Sequence, residues 1–179
     1  FPEIIFDEIA DFIVKNNNIV NVEMENISKD IITDYDVLNK SSKDEFINHC
    51  INKDIVNLYI TEYLLEKKEE FDFTFTYFSA NDHLSHLFWS YNFIRKHPFI
   101  SKFIYEAPSE KELKKYGSLI EKYAKHIDNN IKRITEKIDN NTIIFIVSDH
   151  GFGTYSSTFN KILDVEDFYK QLGLIFFKQ

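Results

Sequence analysis

The 179-residue sequence contains a single cysteine, so it cannot form an internal disulfide. One cysteine suits a reducing compartment such as the cytoplasm, and Cys50 is better interpreted as a buried helix residue than as a nucleophile. Glycine and proline are scarce too, with four and three residues. This composition favours long helices over an all-β sandwich, which needs many tight turns.

Basic residues are in the minority, and the formal net charge is −8 at pH 7. Nucleic acids and anionic membranes are bound by clustered lysine and arginine, so we expect neither as a partner. A bound metal ion could reverse the charge locally, which keeps a phosphorylated small molecule acceptable as a ligand. No uninterrupted apolar stretch approaches the roughly 20 residues of a membrane span.

Hydrophobic and charged residues make up 44% and 28% of the chain, which predicts a soluble globular protein. The first residue, Phe1, is not an initiator methionine. The apolar run 174–177 just before Gln179 has the pattern of a strand cut short. We therefore expect a fragment of a larger domain.

The region 1–70 is predicted to be a helical, variable insertion. It begins with an amphipathic helix over 3–15. A polar, loop-rich stretch over 16–42 follows, with a possible short strand at 19–22. A long helix over 43–69 is then expected, because a capping-box sequence stands at its start.

The region 71–179 carries the pattern of alternating strands and helices. We predict a strand over 71–78, a short helix over 82–93, a long helix over 109–138 and a strand over 142–147. Strand, long helix and strand in this order predict a βαβ crossover with parallel strands. The expected fold class is therefore α/β, a mostly parallel sheet flanked by helices.

Each predicted strand is followed by an aspartate and a histidine, the ordinary oxygen and nitrogen ligands of a divalent transition metal. Asp82 and His86 are four residues apart, which puts both side chains on one face of a helix. His83 points about 100° away from Asp82 and is a poorer candidate. The alternative is a helix cap for Asp82 and a half-buried core histidine for His86.

The second pair, Asp149 and His150, can bind at one site only if the chain bends there. Gly151 and Gly153 would permit the bend, although the same residues are ordinary turn chemistry. If the strand ends are neighbours, the two pairs converge in one cavity. Two metal ions roughly 4 Å apart would then act on phosphoryl or related esters.

The segments 77–82, 85–89 and 148–153 resemble the alkaline phosphatase superfamily. The closest branch is the type I phosphodiesterase/nucleotide pyrophosphatase-like group, and the similarity covers roughly residues 71–177. In this branch a proline usually precedes the first aspartate and a glycine the histidine, where the present sequence has Asn81 and Ser85. The implied fold is an alkaline-phosphatase-like sandwich, with 71–179 as an incomplete part of the hydrolase core.

The resemblance also implies the metal ligands and the reaction. Asp82 and His86 would bind one ion and Asp149 and His150 the other, most often zinc and sometimes manganese. The nucleophile, a threonine or serine, is expected upstream, and a third histidine lies downstream in the family. The chain would then be a fragment of a two-metal phosphoester hydrolase acting on a phosphorylated small-molecule ester, inactive alone because it lacks a catalytic nucleophile.

Other functions fit the same residues. A phosphotransferase, phosphomutase or sulfatase can share the fold, and fold alone does not separate them. A non-catalytic, degenerate relative used for binding is a further alternative. The simplest alternative treats all four residues as caps and turns in an ordinary α/β domain.

Overall fold

A computed structural model of the chain describes residues 3–67, 71–98 and 107–153, with side chains from residue 7 onward. Within these ranges the chain forms α-helices and no β-strand. The helices, in chain order, are α1 (Glu3–Ile31), α2 (Ser42–Glu66), α3 (Ala80–Lys96), α4 (Glu110–Tyr116) and α5 (Leu119–Thr135). None of the helices in the described part of the chain is both long and apolar enough to cross a bilayer.

The predicted α/β fold with a parallel sheet is therefore wrong, and so is the βαβ crossover. Residues 71–78 and 142–147 have no strand hydrogen bonding in the structure. Their apolar side chains face solvent, as Phe73 (80% exposed) and Phe145 (82% exposed) illustrate. Alternating apolar residues favour extended backbone, but a strand exists only where a neighbouring segment pairs with it.

Helix α1 continues through the stretch 16–31 that we expected to contain loops and a short strand, so this prediction was also wrong. The reason is tertiary packing. Val20, Ile27 and Ile31 recur at helical spacing and are buried in the core. Burial of this stripe outweighs the low helix propensity of the asparagines around it.

Helix α2 begins with a capping box formed by Ser41 and Asp44, one residue earlier than the box predicted over 42–45. The Ser41 hydroxyl accepts a hydrogen bond from the Asp44 backbone N–H, and the Asp44 carboxylate accepts one from the Ser41 backbone N–H. Cys50 is buried on this helix, as predicted. Burial raises the pKa of its thiol to about 11, so the thiolate is not formed at neutral pH.

Helix α3 lies at the centre of the molecule and packs against α2, α4 and α5. It includes the helix predicted over 82–93 and extends it at both ends. Its buried side chains include Ala80, Leu84, Phe88 and Tyr91, which belong to the hydrophobic core. The opposite side of its first two turns carries Asp82 and His86.

The helix predicted over 109–138 is broken into α4 and α5 at Gly117. At this break the side chain of Arg95 crosses the backbone, and its Nε donates a hydrogen bond to the Gly117 carbonyl at 2.8 Å. A Cβ atom on residue 117 would lie 2.9 Å from Arg95 Cδ. Glycine therefore allows α3 to approach the junction closely.

Candidate metal centre

The four predicted ligands lie next to one another in the structure. Asp82 Oδ1 is 3.5 Å from His86 Nε2, one helical turn away on α3. The same oxygen is 3.8 Å from His150 Nε2, which comes from the segment after residue 147. His150 Nε2 is in turn 3.6 Å from Asp149 Oδ2. Two histidines and two aspartates distant in sequence thus lie side by side at the surface.

Asp82 Oδ1 is the least satisfied atom of this group. It is buried and, among the residues that the structure describes, has no hydrogen-bond partner. Neither histidine nitrogen is close enough for a good hydrogen bond. A buried carboxylate oxygen without a donor is unfavourable, and a cation is one partner that would satisfy it.

The helix-cap interpretation of Asp82 does not agree with the start of α3. The N-cap residue is Ser79, whose side chain makes no capping hydrogen bond within the described ranges. The backbone N–H groups of Ser79 and Ala80 donate instead to the carboxylate of Asp54, on α2. The first turn of α3 is therefore capped from a different helix, and Asp82 is available for another role.

Two aromatic contacts hold the second pair of ligands against α3. The ring of Phe152 meets the His86 ring edge-on at 4.9 Å between centroids, and it packs on Trp89 at 5.3 Å. The half-buried core position considered for His86 is not found, since its side chain is 67% exposed. Phe152 thus connects the segment containing Asp149 and His150 to the helix carrying the first pair.

Local hydrogen bonds fix the orientation of His150. Its Nδ1 lies 2.9 Å from the Gly151 carbonyl, and because a carbonyl only accepts, Nδ1 carries the proton. In the neutral ring the lone pair is then on Nε2, the atom beside Asp82 and Asp149, as a metal ligand requires. The Gly151 carbonyl and the carboxylates of Asp149 and Asp82 raise the pKa of His150.

The bend at Asp149 does not depend on glycine. A Cβ atom added to Gly151 would meet nothing within 4 Å, and its φ is outside the left-handed region. The turn is closed instead by the Ser148 hydroxyl, which donates to the His150 carbonyl at 2.6 Å. The sequence indicates only that Gly151 and Gly153 would permit the bend, and at both positions the described backbone also has room for a Cβ atom.

The types of donor atom at this site fit a divalent transition metal, but the described residues supply fewer donors than a complete site requires. Two ligand atoms on one tetrahedral zinc ion lie about 3.3 Å apart, close to the 3.5 Å between Asp82 and His86. However, no three His, Cys, Asp or Glu side chains in the described ranges form a group that could hold an ion. The four residues thus form two pairs, and each pair leaves coordination positions for other ligands.

A shallow cavity of about 620 Å³ opens beside His86. Its exposed surface is mostly apolar, and the residues that line it include Phe46 and Leu87 as well as Lys43 and His83. His83 therefore faces this cavity rather than the Asp82 oxygen, in agreement with its predicted direction. A molecule in contact with His86 can extend into this space.

A family model for type I phosphodiesterase/nucleotide pyrophosphatase matches residues 14–178, which is most of the chain. The chain belongs to the type I phosphodiesterase/nucleotide pyrophosphatase family. The predicted resemblance is confirmed, and the match extends beyond the predicted region 71–177 to include most of the first seventy residues. No curated protein and no solved structure matches the chain.

Membership in the phosphodiesterase family indicates a phosphodiesterase- or pyrophosphatase-type hydrolase function. The family acts on phosphoester substrates and is generally metal-dependent. Both properties agree with the residue types at the candidate centre.

Sequence reasoning missed three residues that shape the site of this phosphodiesterase relative. Phe152 packs on His86, Asp54 caps α3, and Tyr123 donates a hydrogen bond to Asp54 at 2.8 Å. Phe152 stands inside the second motif, so its position was a usable signal. Asp54 and Tyr123 lie in ordinary helical patterns, and only the tertiary structure reveals their contact with the site.

Proposed function

We propose that this chain carries part of the two-metal centre of a phosphoester hydrolase. Asp82 and His86 would hold one divalent ion, and Asp149 and His150 the other, with zinc the preferred ion and manganese acceptable. The observation that carries the proposal is the buried Asp82 Oδ1, which lacks a hydrogen bond and lies between the Nε2 atoms of two histidines.

The chemistry of the proposed substrate follows from this donor set. Divalent ions at the centre would supply positive charge to the oxygens of a phosphoryl group in the transition state. The protein would orient the ligands: the Gly151 carbonyl keeps His150 Nε2 free, and Phe152 holds His86. The non-phosphate part of a small ester would occupy the cavity beside His86, whose exposed surface is mostly apolar.

Two ions with about three protein ligands each require about six ligands, and four are identified. We therefore propose that the remaining ligands and the nucleophile belong to other parts of the full protein. The present chain alone would bind metal weakly and would not turn over a phosphoester. Clear hydrolysis by this chain would contradict this part of the proposal.

A non-catalytic relative is the second candidate, and one observation favours it. The candidate ligands are open to solvent, with the Asp149 side chain 85% exposed, whereas a hydrolytic site usually excludes bulk water. Such a protein would bind a metal or a phosphorylated ligand without turnover. The phosphotransferase, phosphomutase and sulfatase alternatives can share the fold, and the fold alone does not separate them from a hydrolase of phosphoesters.

A metal titration tests the proposed centre. Cobalt is titrated into the wild-type chain and into the His86→Ala and His150→Ala variants, and binding is followed by visible absorption. The matched control is His126→Ala, because His126 also pairs with an aspartate, Asp30, at 2.9 Å, but away from the centre.

We expect His86→Ala to lose cobalt at the Asp82 pair, His150→Ala to lose cobalt at the Asp149 pair, and His126→Ala to bind as much cobalt as the wild type. Equal binding by all four proteins would eliminate the centre. In the full-length protein, hydrolysis of bis(nitrophenyl) phosphate and nitrophenyl phosphate then distinguishes the enzyme from a binding protein. Turnover of either ester that depends on His86 supports the enzyme, and metal binding without turnover supports the second candidate.

A further inference from the structure

Asp54 is a fully buried carboxylate at the junction between α2 and α3. It accepts hydrogen bonds from the Ser79 backbone N–H at 2.9 Å, from the Ala80 backbone N–H at 3.2 Å and from the Tyr123 hydroxyl at 2.8 Å. These bonds join three helices at one side chain. Asp82 follows Ala80 by two residues, within the same helical turn.

Burying a carboxylate at this position is unfavourable for the charged form. Burial raises the pKa of Asp54 even though Tyr123 and two backbone N–H groups stabilise its charge. A helix start can be capped more simply by a serine or threonine at the N-cap, and α3 has Ser79 there without using its side chain. The arrangement thus fixes the first turn of α3 from outside, rather than only satisfying its N–H groups.

We propose that Asp54, held by Tyr123, is a positioning residue for the metal-binding end of α3. It fixes the rotation and depth of the first helical turn so that Asp82 Oδ1 stays directed between His86 and His150. The inference rests on the proposed function, because it takes Asp82 to be a metal ligand. Outer partners that orient metal ligands commonly change metal affinity about 10- to 100-fold when removed.

The molecule contains a matched pair of residues for a control. Asp44 is also fully buried on α2 and accepts a hydrogen bond from a tyrosine hydroxyl, that of Tyr116, at 2.9 Å. This pair caps the start of α2 instead of α3. Tyr123→Phe and Tyr116→Phe each remove a hydrogen bond from a tyrosine hydroxyl to a buried aspartate, and Tyr116→Phe also removes a contact with Ser41 Oγ at 3.0 Å. Only Tyr123 bonds the aspartate that caps α3.

The test measures cobalt affinity and the visible absorption spectrum of bound cobalt in the wild-type chain and both tyrosine variants. We expect Tyr123→Phe to weaken cobalt binding about 10-fold and to alter the spectrum. Tyr116→Phe should change the melting temperature by a similar amount and leave affinity and spectrum unchanged. Equal cobalt affinity in the two variants would overturn the proposal.

Two further variants complete the design. Asp54→Ala should weaken cobalt binding at least as much as Tyr123→Phe, and Asp54→Asn, which keeps one acceptor oxygen, should restore part of the affinity. If Asp54→Ala does not fold, the tyrosine pair still decides the question. Loss of cobalt binding in His86→Ala with no change in Tyr123→Phe would refute the positioning role alone, whereas a wild-type chain that binds no cobalt would refute both proposals.

Discussion

At the residue scale, the unsatisfied oxygen of Asp82 has a consequence for stability as well as for binding. A buried carboxylate oxygen without a hydrogen-bond donor, such as Asp82 Oδ1, lowers the stability of the chain when no metal is bound. We expect Asp82→Asn to leave the free energy of unfolding unchanged or to raise it by about 1 kcal/mol, while cobalt affinity falls at least about 10-fold. Urea unfolding and cobalt titration measure the two effects. A large loss of stability would indicate a structural role instead.

Gly117 and Gly151 are expected to differ in how much an alanine substitution destabilises the chain. A Cβ on residue 117 would lie 2.5 Å from the Leu113 carbonyl oxygen and 2.9 Å from Arg95 Cδ, whereas one on residue 151 meets nothing within 4 Å. We expect Gly117→Ala to destabilise the chain by about 1–3 kcal/mol and Gly151→Ala to remain within about 0.5 kcal/mol. Thermal unfolding checks both variants. The reverse order would contradict the described backbone.

The adjacency of the four candidate residues could be predicted from the sequence, because an aspartate and a histidine follow each of two apolar runs, and the structure places the two pairs side by side. The residues that position the start of α3 could not be predicted in this way. Asp54 reaches Ser79 across 25 residues and Tyr123 across 69 residues. Contacts at such separations depend on how the helices pack, which local residue patterns do not determine.

At the element scale, the start of α4 depends on an acidic side chain. Glu112 accepts hydrogen bonds from the Ser109 backbone N–H and hydroxyl and forms an ion pair with Lys43. The Lys43 hydrogen bond, followed by the Ser109 bonds, lowers the pKa of Glu112 to about 2. A carboxylate with a lowered pKa stabilises the folded state above its unfolded pKa and ceases to do so as the pH falls through its folded pKa.

This gives a pH-dependent prediction for Glu112→Gln. The stability difference from the wild type should be complete above the unfolded value of 4.5 and should disappear as the pH falls towards about 2. Because the side chain is partly exposed, we expect a difference of at most about 1 kcal/mol. Urea unfolding at several pH values measures it. A difference that does not change between pH 7 and pH 2 would exclude this ion pair as the cause.

Helices could be predicted better than strands, for a physical reason. A helix forms its hydrogen bonds within one segment, so the start of α2 and the position of α3 could be predicted from local signals. The runs 71–78 and 142–147 need an external hydrogen-bonding partner to become strands, and the sequence pattern alone does not supply one. The break at Gly117 was missed because the apolar stripe continues across it.

At the scale of the whole molecule, the main feature is the apolar surface of the two irregular runs. Phe75 is 70% exposed and Phe145 is 82% exposed, with other large apolar side chains beside them. Exposed apolar segments of this size promote association. We expect the double variant Phe75→Lys/Phe145→Lys to bind less of the dye ANS and to self-associate less, with an unchanged melting temperature.

Leu38 provides the control for this prediction. It is 91% exposed but stands alone on the α1–α2 connection. Leu38→Lys should alter neither dye binding nor the sedimentation profile. If the double variant unfolds, the two phenylalanines contribute to a core, and the described exposure is wrong.

The family was predictable at this scale although the fold class was not. The resemblance to the family was found from the short motifs around Asp82 and Asp149, because a few residues of the right type and spacing are enough to form such a motif. Fold class depends on the pairing of whole segments, and here the described residues form packed helices. The family match and the adjacency of the four candidate residues are consistent with each other despite this difference.

Anomalous diffraction from zinc-soaked crystals of the chain tests the central claim most directly. We predict zinc within about 2.1 Å of Asp82 Oδ1 and His86 Nε2, and a second site at Asp149 and His150 roughly 4 Å from the first. Zinc found only elsewhere, with these four side chains free of metal, would contradict the account.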